Sequence, residues 1–366
     1  MGRHPSRKKT ATADELQRLF EEGIGRNFSD QDREKLLESM PGMIEGSVSD
    51  IADIVYPCLM RTAPSMLRAQ RATRRGFEKR LYRLWKKGID LLEAYLVVAT
   101  EIGASFDDSH REDAARTQDF LFEALVRLQA RAVQVGHEVL CLLAAGFADG
   151  AHARWRTAHE IAVVAHFLAR HGKETAERYL IHEVIESDNI MSQYQQHADA
   201  LGCECCADAE VAEVKALRDS ACARFGLEFG KDYGWASEAL TKQCIPFRKN
   251  RGPTLSDIEK ASGMEHLRPY YRMASHNVHA NPKGITFRLG QPDSSVLLLY
   301  GSSDYGLDEP ADGIAISVLQ TTVPMLATRP TIDNLVRVEI MERYVYDIGA
   351  AFADVQLAMN EPCQND

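Results

Sequence analysis

Four side chains suited to handling a phosphate ester fall within eight residues of one another: Arg272, Ser275, His276 and His279, inside Pro269-Tyr-Tyr-Arg-Met-Ala-Ser-His-Asn-Val-His-Ala-Asn-Pro282. A guanidinium neutralises the charge that develops on phosphorus, and an imidazole exchanges protons near neutral pH. Serine and a second imidazole add hydrogen-bonding groups that orient the phosphate. The spacing sets the element that must carry them. Arg272 to His276 is i,i+4 and Arg272 to His279 is i,i+7, so a helix through the box shows all three on one face. Pro269 suits the first turn of such a helix, and Asn281-Pro282 ends it, because the residue before proline avoids the α region. His279 then sits in the last turn, where the helix dipole favours imidazolium.

A second charged feature precedes it. Arg61–Lys87 contains ten basic residues and one acidic residue, Glu78. Arg68, Arg71, Arg75, Lys79, Arg83 and Lys86 step by three or four along one helical stripe. Six like charges in line need a counter-surface, which is an acidic face of the same protein, a partner chain or a phosphate backbone. The net charge of −10 argues against general affinity for nucleic acid while leaving room for this local surface. The thiols are less informative. Cys203-Glu-Cys205-Cys206, with His182 and His197 upstream, has the ligand types for zinc but matches no standard pair of Cys-x-x-Cys knuckles, so no metal and no cofactor is expected. Phosphate-binding glycine loops, the dinucleotide fingerprint, His-Glu-x-x-His and Gly-x-Ser-x-Gly are all missing.

The elements read as helices nearly throughout. Residues 1–11 form a basic tail, Leu16, Leu19 and Phe20 recur at helical spacing, and Ser29-Asp-Gln-Asp32 resembles a capping box. Pro57 and Pro64 bracket a break, taken as the seam between an appendage over 1–63 and a main α-helical domain over 64–366. Phe77, Leu81, Leu84, Leu91 and Tyr95 mark the buried face of a long helix that turns at Phe106–Ser109. A second runs from Ser109 to Ala148, with Phe120, Leu121, Leu125, Leu128 and Val135 in register. Ala151–Arg170 is a third, with Ile161, Val164 and Leu168 inward and His152, Arg156, His159, His166 and Arg170 on the other side. Arg154 and His159 lie about 140° apart and do not share a face; Arg154 or Arg156 is expected to pair an acid such as Glu160. Helices continue over 174–200 and 210–225. Gly226–Pro253 reads as an ordered loop, and Thr254-Leu-Ser-Asp257 caps a short helix closed by Gly263. After Pro282 the period changes: Ile285–Leu289 and Val296–Tyr300 read as a β-hairpin, before helices return over 312–326 and 332–359. The expected fold is mainly α, a bundle of long helices with a small β-hairpin near residues 285–300. The apolar runs Leu91–Ile102 and Val139–Phe147 are too short to span a bilayer, so no membrane partner is expected. With no secretory signal after the Arg3–Lys9 tail, a cytoplasmic location and reduced thiols follow.

Ala153-Arg-Trp-Arg-Thr-Ala-His-Glu-Ile-Ala-Val-Val and Tyr271-Arg-Met-Ala-Ser-His-Asn-Val-His-Ala280 resemble a widespread bacterial helical family known only as a domain of unknown function. The resemblance spans roughly Leu91 to Leu299. The box is also similar, more distantly, to the HEPN superfamily of helical bundles, whose signature is an arginine followed after four to six residues by histidine. Arg272 and His279 fit that spacing, whereas Met273 stands where a polar residue is usual. The second resemblance implies a metal-independent endoribonuclease, a toxin or antiviral effector acting on RNA. His279 would be the general acid/base, Arg272 would stabilise the phosphorane, and Ser275 and His276 would orient the phosphate. It implies further that two sites combine across a homodimer. A different class of function also fits the residues. In it the chain is a non-catalytic helical scaffold that binds a protein or nucleic acid, and Arg272 and His279 only tie the box to its surroundings.

Overall fold

The computed structural model describes residues 30–248, 250–292 and 298–361. The basic tail, the Leu16/Leu19/Phe20 spacing, Ser29, Val296 and Cys363 lie outside these residues. Chain contacts divide the protein at Gly76/Phe77 into two units. Helix α1 (Asp30–Thr117) supplies both, the residues up to Gly76 belonging to the first unit and those from Phe77 to the second. The helix passes through Pro57 and Pro64 without ending. Each proline removes one backbone bond and disfavours an interior turn by about 3 kcal/mol or more, yet a proline can kink a helix rather than end it.

From Gly46 to Arg75 the first unit is exposed at every residue except Ala63, which is half-buried. In the second unit, α1 buries Leu81, Trp85, Leu92, Tyr95 and Leu96, while Leu84, expected inward, is 42% exposed. The Trp85 indole donates to the Asp304 carbonyl (2.9 Å) and the Tyr95 hydroxyl to the Ala315 carbonyl (3.0 Å). The turn expected at Phe106–Ser109 is absent, because Ser109 bonds back to the Ser105 carbonyl (2.7 Å) and continues the helix. The chain turns instead at Gln118, whose φ is 49°. Asp119 follows, accepts from the Phe122 amide (3.2 Å) and so caps helix α2 (Phe120–Ala144).

Helix α3 (Ala148–Ile181) is the centre of the second unit. It packs against α2 and against the helices over Leu255–Ser262, Arg268–His276 and Asp308–Ala327. It is broken at Gly172, where φ is 78° and ψ −165°, a conformation open to glycine almost alone. Helices α4 (Glu183–Leu201) and α5 (Asp208–Phe225) form a hairpin across the cysteine turn. The loop over 226–253 holds two single 3₁₀ turns and helix α6 (Ser237–Lys242). Helix α7 (Leu255–Ser262) has the expected capping box at Thr254 and Asp257 and ends at Gly263 with φ 74°. The box follows in α8 (Arg268–His276) and α9 (Pro282–Thr286), and α10 (Asp308–Ala327) and α11 (Ile332–Asn360) complete the bundle.

Among the described residues there are no strands, only one isolated bridge between Arg248 and Gly252. The β-hairpin expected over 285–300 is not found: its described residues, 285–292 and 298–300, form the end of α9 and irregular chain. Asn281 caps α9 by accepting from the Gly284 amide (2.8 Å), which commits Ile285 to a helical turn. Leu289 is tied by its amide to Asp149 (2.9 Å), a side-chain partner in place of a strand neighbour. The fold is mainly α. No described helix is long and apolar enough to cross a membrane.

Candidate functional site

The box helix presents its Tyr271 and Ala274 side to α3, and both residues are buried. What α3 offers there is polar. His152 and His159, on the side opposite Ile161, Val164 and Leu168, are fully buried as well, because α7, α8 and α10 pack against that side. His159 donates from Nε2 to Glu259 of α7 (3.1 Å), whose other carboxylate oxygen takes Arg268 of α8. Glu259 has no solvent exposure. Burial pushes its carboxyl up, but the bonds from His159 and Arg268 outweigh that and hold it below the ordinary carboxylate range.

A second set of contacts runs beside the first. The Tyr271 hydroxyl donates to Glu160 (2.7 Å), Arg156 pairs with Glu160 (3.1 Å), and the Arg156 guanidinium lies 4.8 Å from the centre of the Tyr271 ring. Burial, with Glu160 adding to it, pushes the Tyr271 phenol above its usual value. Arg154 turns away to Glu138, so Arg154 and His159 serve different neighbours, as their angular separation implies.

Deeper along α3, His152 stacks on Trp155 with ring centres 5.4 Å apart. It accepts from the Asn277 amide (3.4 Å), and its Nε2 lies 3.5 Å from Glu309. Burial lowers its pKa to about 4. Asp308, Glu309 and Asp312 of α10 are all raised by burial. Glu309 and Asp312 join Trp155, Leu267 and Tyr270 in lining a cleft of about 270 Å³.

The four box residues are less united. Helix α8 ends at His276, so His279 lies beyond it and no longer shares a helical face with Arg272. The cause is local: the Asn277, Val278 and His279 amides turn back to Ala274 and Ser275 carbonyls, and α9 starts six residues later. Gly284 of α9 packs so tightly that a Cβ there would stand 2.2 Å from the His276 carbonyl oxygen and 2.8 Å from that of His279. Ser275 spends its hydroxyl on the Tyr271 carbonyl (2.8 Å). His276 is half-buried and donates from Nδ1 to the Asn281 side-chain oxygen (3.2 Å), the same oxygen that caps α9. Arg272 and His279 are exposed, and no ion pair engages Arg272 among the described residues.

The remaining candidates fall on surfaces. Arg68, Arg71 and Arg75 are exposed on the first unit, and Lys79, Arg83 and Lys86 on the second, where Lys86 pairs with Asp90. Cys203 and Cys205 are exposed and Cys206 half-buried, in a turn fixed by Gln195, which bonds both the amide (2.8 Å) and carbonyl (3.2 Å) of Cys206. His182, considered with these thiols, is instead bonded to the Lys231 carbonyl (3.0 Å) beneath Phe229. Among the described residues no group of three or more His, Cys, Asp or Glu could hold a metal ion.

Sequence reasoning missed Glu259, Glu309 and Asp312. Glu259 had one available signal: it is the acid on α7 between the buried Ile258 and Ala261, a position a solvated glutamate would not occupy.

The fold and buried network describe an all-helical domain arranged around α3. A sequence family described as a family of unknown function (DUF5677) matches residues 122–295, which takes in α2, α3, the short helices and the box. No curated protein and no solved structure matches the chain.

Proposed function

We propose that the protein is a non-catalytic helical scaffold that binds another protein through its first unit. The observation that carries this reading is the apolar face there: Val48, Ile51, Val55, Leu59 and Met66 are between 45% and 61% exposed at helical spacing. Contiguous apolar surface of this kind marks interaction sites in soluble proteins. The second unit supports the reading from the other side. Its strongest polar groups, Glu259, His159, Arg268, Glu160 and Tyr271, are engaged with each other and hold helices together. The box adds support: Arg272 and His279 do not share a helical face, and Ser275 and His276 are engaged by Tyr271 and Asn281.

One observation favours the ribonuclease reading as the alternative. Asn281 orients His276 through Nδ1 and leaves Nε2 available, one helical turn from exposed Arg272, which is the arrangement of a held general base beside a cation. In that reading His276 joins His279 as a candidate for the proton-transfer role. A cleavage assay with varied RNAs in EDTA separates the two. The scaffold reading expects no cleavage by the wild type. Cleavage that is lost in Arg272→Ala, His276→Ala or His279→Ala without loss of helicity would replace it.

A further inference from the structure

The cleft of about 270 Å³ beside Trp155 sets two carboxylates against an apolar wall. Glu309 and Asp312 of α10 are the acids, and Trp155, Leu267, Tyr270 and Ile316 supply the wall. Among the described residues neither acid pairs with a lysine or arginine, and the basic group beside Glu309 is His152, with Nε2 3.5 Å from Oε1. That imidazole carries no charge at neutral pH, since burial lowers its pKa to about 4. The start of α10 accounts for a third acid only. Asp308 accepts from its own amide and that of Glu309, whereas burial raises Glu309 and Asp312 without such bonds to offset it.

Three buried polar atoms gather here without a hydrogen bond to the described residues. They are Glu309 Oε1, His152 Nε2 and, beyond the other edge of that ring, Asn277 Oδ1. His152 has no solvent exposure, so its Nε2 faces Glu309 alone. Buried polar atoms in this state call for a partner. Beside an accepting oxygen and two negative charges, the complement is a donor that carries positive charge. A metal ion would need several ligands converging on one point, and no described group of three or more His, Cys, Asp or Glu could hold one.

We propose that this cleft binds a small alkylammonium ion, its head shared by Glu309 and Asp312 and its stem against Trp155, Leu267 and Ile316. The inference goes beyond the scaffold reading and is independent of it, because every residue named lies in the second unit. Glu309 and Asp312 are i,i+3 on α10, a spacing that sets Cβ atoms about 5–6 Å apart, so one head with three N–H donors reaches both. The volume equals that of roughly nine water molecules at about 30 Å³ each, room for a primary amine of several carbons and too little for a folded segment. Tyr270, 51% exposed, borders the cleft with an aromatic ring, to which cations are drawn.

The test is titration calorimetry of the full chain with n-butylamine hydrochloride at neutral pH, where the amine is charged. The neutral isostere n-butanol and sodium chloride at equal ionic strength are the controls. Butylamine is expected to bind in the millimolar range or tighter, and n-butanol about tenfold more weakly or less. Glu309→Gln and Asp312→Asn should each weaken butylamine by about 10-fold or more, through loss of a charge-assisted hydrogen bond. Both variants should melt no lower than wild type, because each removes a carboxylate that burial disfavours. The Trp155 indole N–H, bonded to Ser317 (2.9 Å), reports the place, and its NMR signal should move on titration while those of Trp85 and Trp235 stay still. No heat from butylamine at tens of millimolar, equal binding by n-butanol, or full binding by both variants would overturn the proposal. So would an unmoved Trp155 signal, or a clear fall in the melting temperature of the two variants, which would make the acids part of the packing.

Discussion

Glu259 offers the sharpest test of the network under the box. The residue and its partner His159 are both without solvent exposure, and Arg268, which takes the second oxygen, is 34% exposed in its side chain. Replacing Glu259 by alanine leaves a buried imidazole N–H and half of a guanidinium fork without an acceptor. Breaking a buried charged contact from one side costs about 3–5 kcal/mol, and the part-exposed arginine argues for the lower end, because water can reach it. In a unit of this size about 2–4 °C of melting temperature goes with each kcal/mol, so the expected fall is on the order of 10 °C. Glu259→Gln keeps the shape and one acceptor and should lose about half as much. Thermal and urea unfolding of purified variants read the effect. The triple variant Glu259→Leu, His159→Leu and Arg268→Met should recover most of the loss, since an apolar replacement of a whole buried cluster is often close to neutral. A fall of under about 2 °C in Glu259→Ala, or a triple variant less stable than that single one, would refute the account of a buried acid whose role is to join α3, α7 and α8.

The buried His152 should make stability sensitive to acid. Its pKa falls to about 4 on folding, so its contribution is complete above the ordinary histidine value near 6.5 and is lost as pH drops toward 4, a change of about 3 kcal/mol. Asp308, Glu309 and Asp312, raised by burial, act with the opposite sign, so the readout is the difference in slope between wild type and His152→Gln in denaturant titrations from pH 7 to 4. Gly172→Ala should cost on the order of 1–3 kcal/mol although nothing lies within 4 Å of the new Cβ, because the cost is backbone strain; an unchanged urea midpoint would contradict it. Gly284→Ala should push α9 off the end of α8 and release the His276–Asn281 contact, seen as loss of the Nδ1–H proton signal in NMR and of about 1–3 kcal/mol. Retention of that signal would show that the corner yields without opening.

Much of the helical layout was legible because helix periodicity and caps are local. Thr254 and Asp257 opened α7 as read, Gly263 closed it, and Ile161, Val164 and Leu168 face inward. The errors came where a tertiary partner outvoted a local signal. Ser109 is a turn residue by preference but bonds back within a helix, and the chain waits for Asp119, whose cap is reinforced by Arg329 from α11's approach (3.0 Å). Residues 285–289 have strand-like composition, yet Asn281 caps a helical turn just before them and Asp149 takes the Leu289 amide that a strand would have used. The box shows the same limit in its functional form. Its residue types were visible, but the contacts that assign their work come from Glu160, which takes Tyr271, and from Asn281, which takes His276. Glu259 was marked in the sequence only by its place between apolar residues, and its partner was not: the approach of His159, a hundred residues earlier, is what makes a charged side chain tolerable there. In the first unit the position is reversed. There the side chains are exposed, and the charge order along a single helix can be read from sequence as well as from structure.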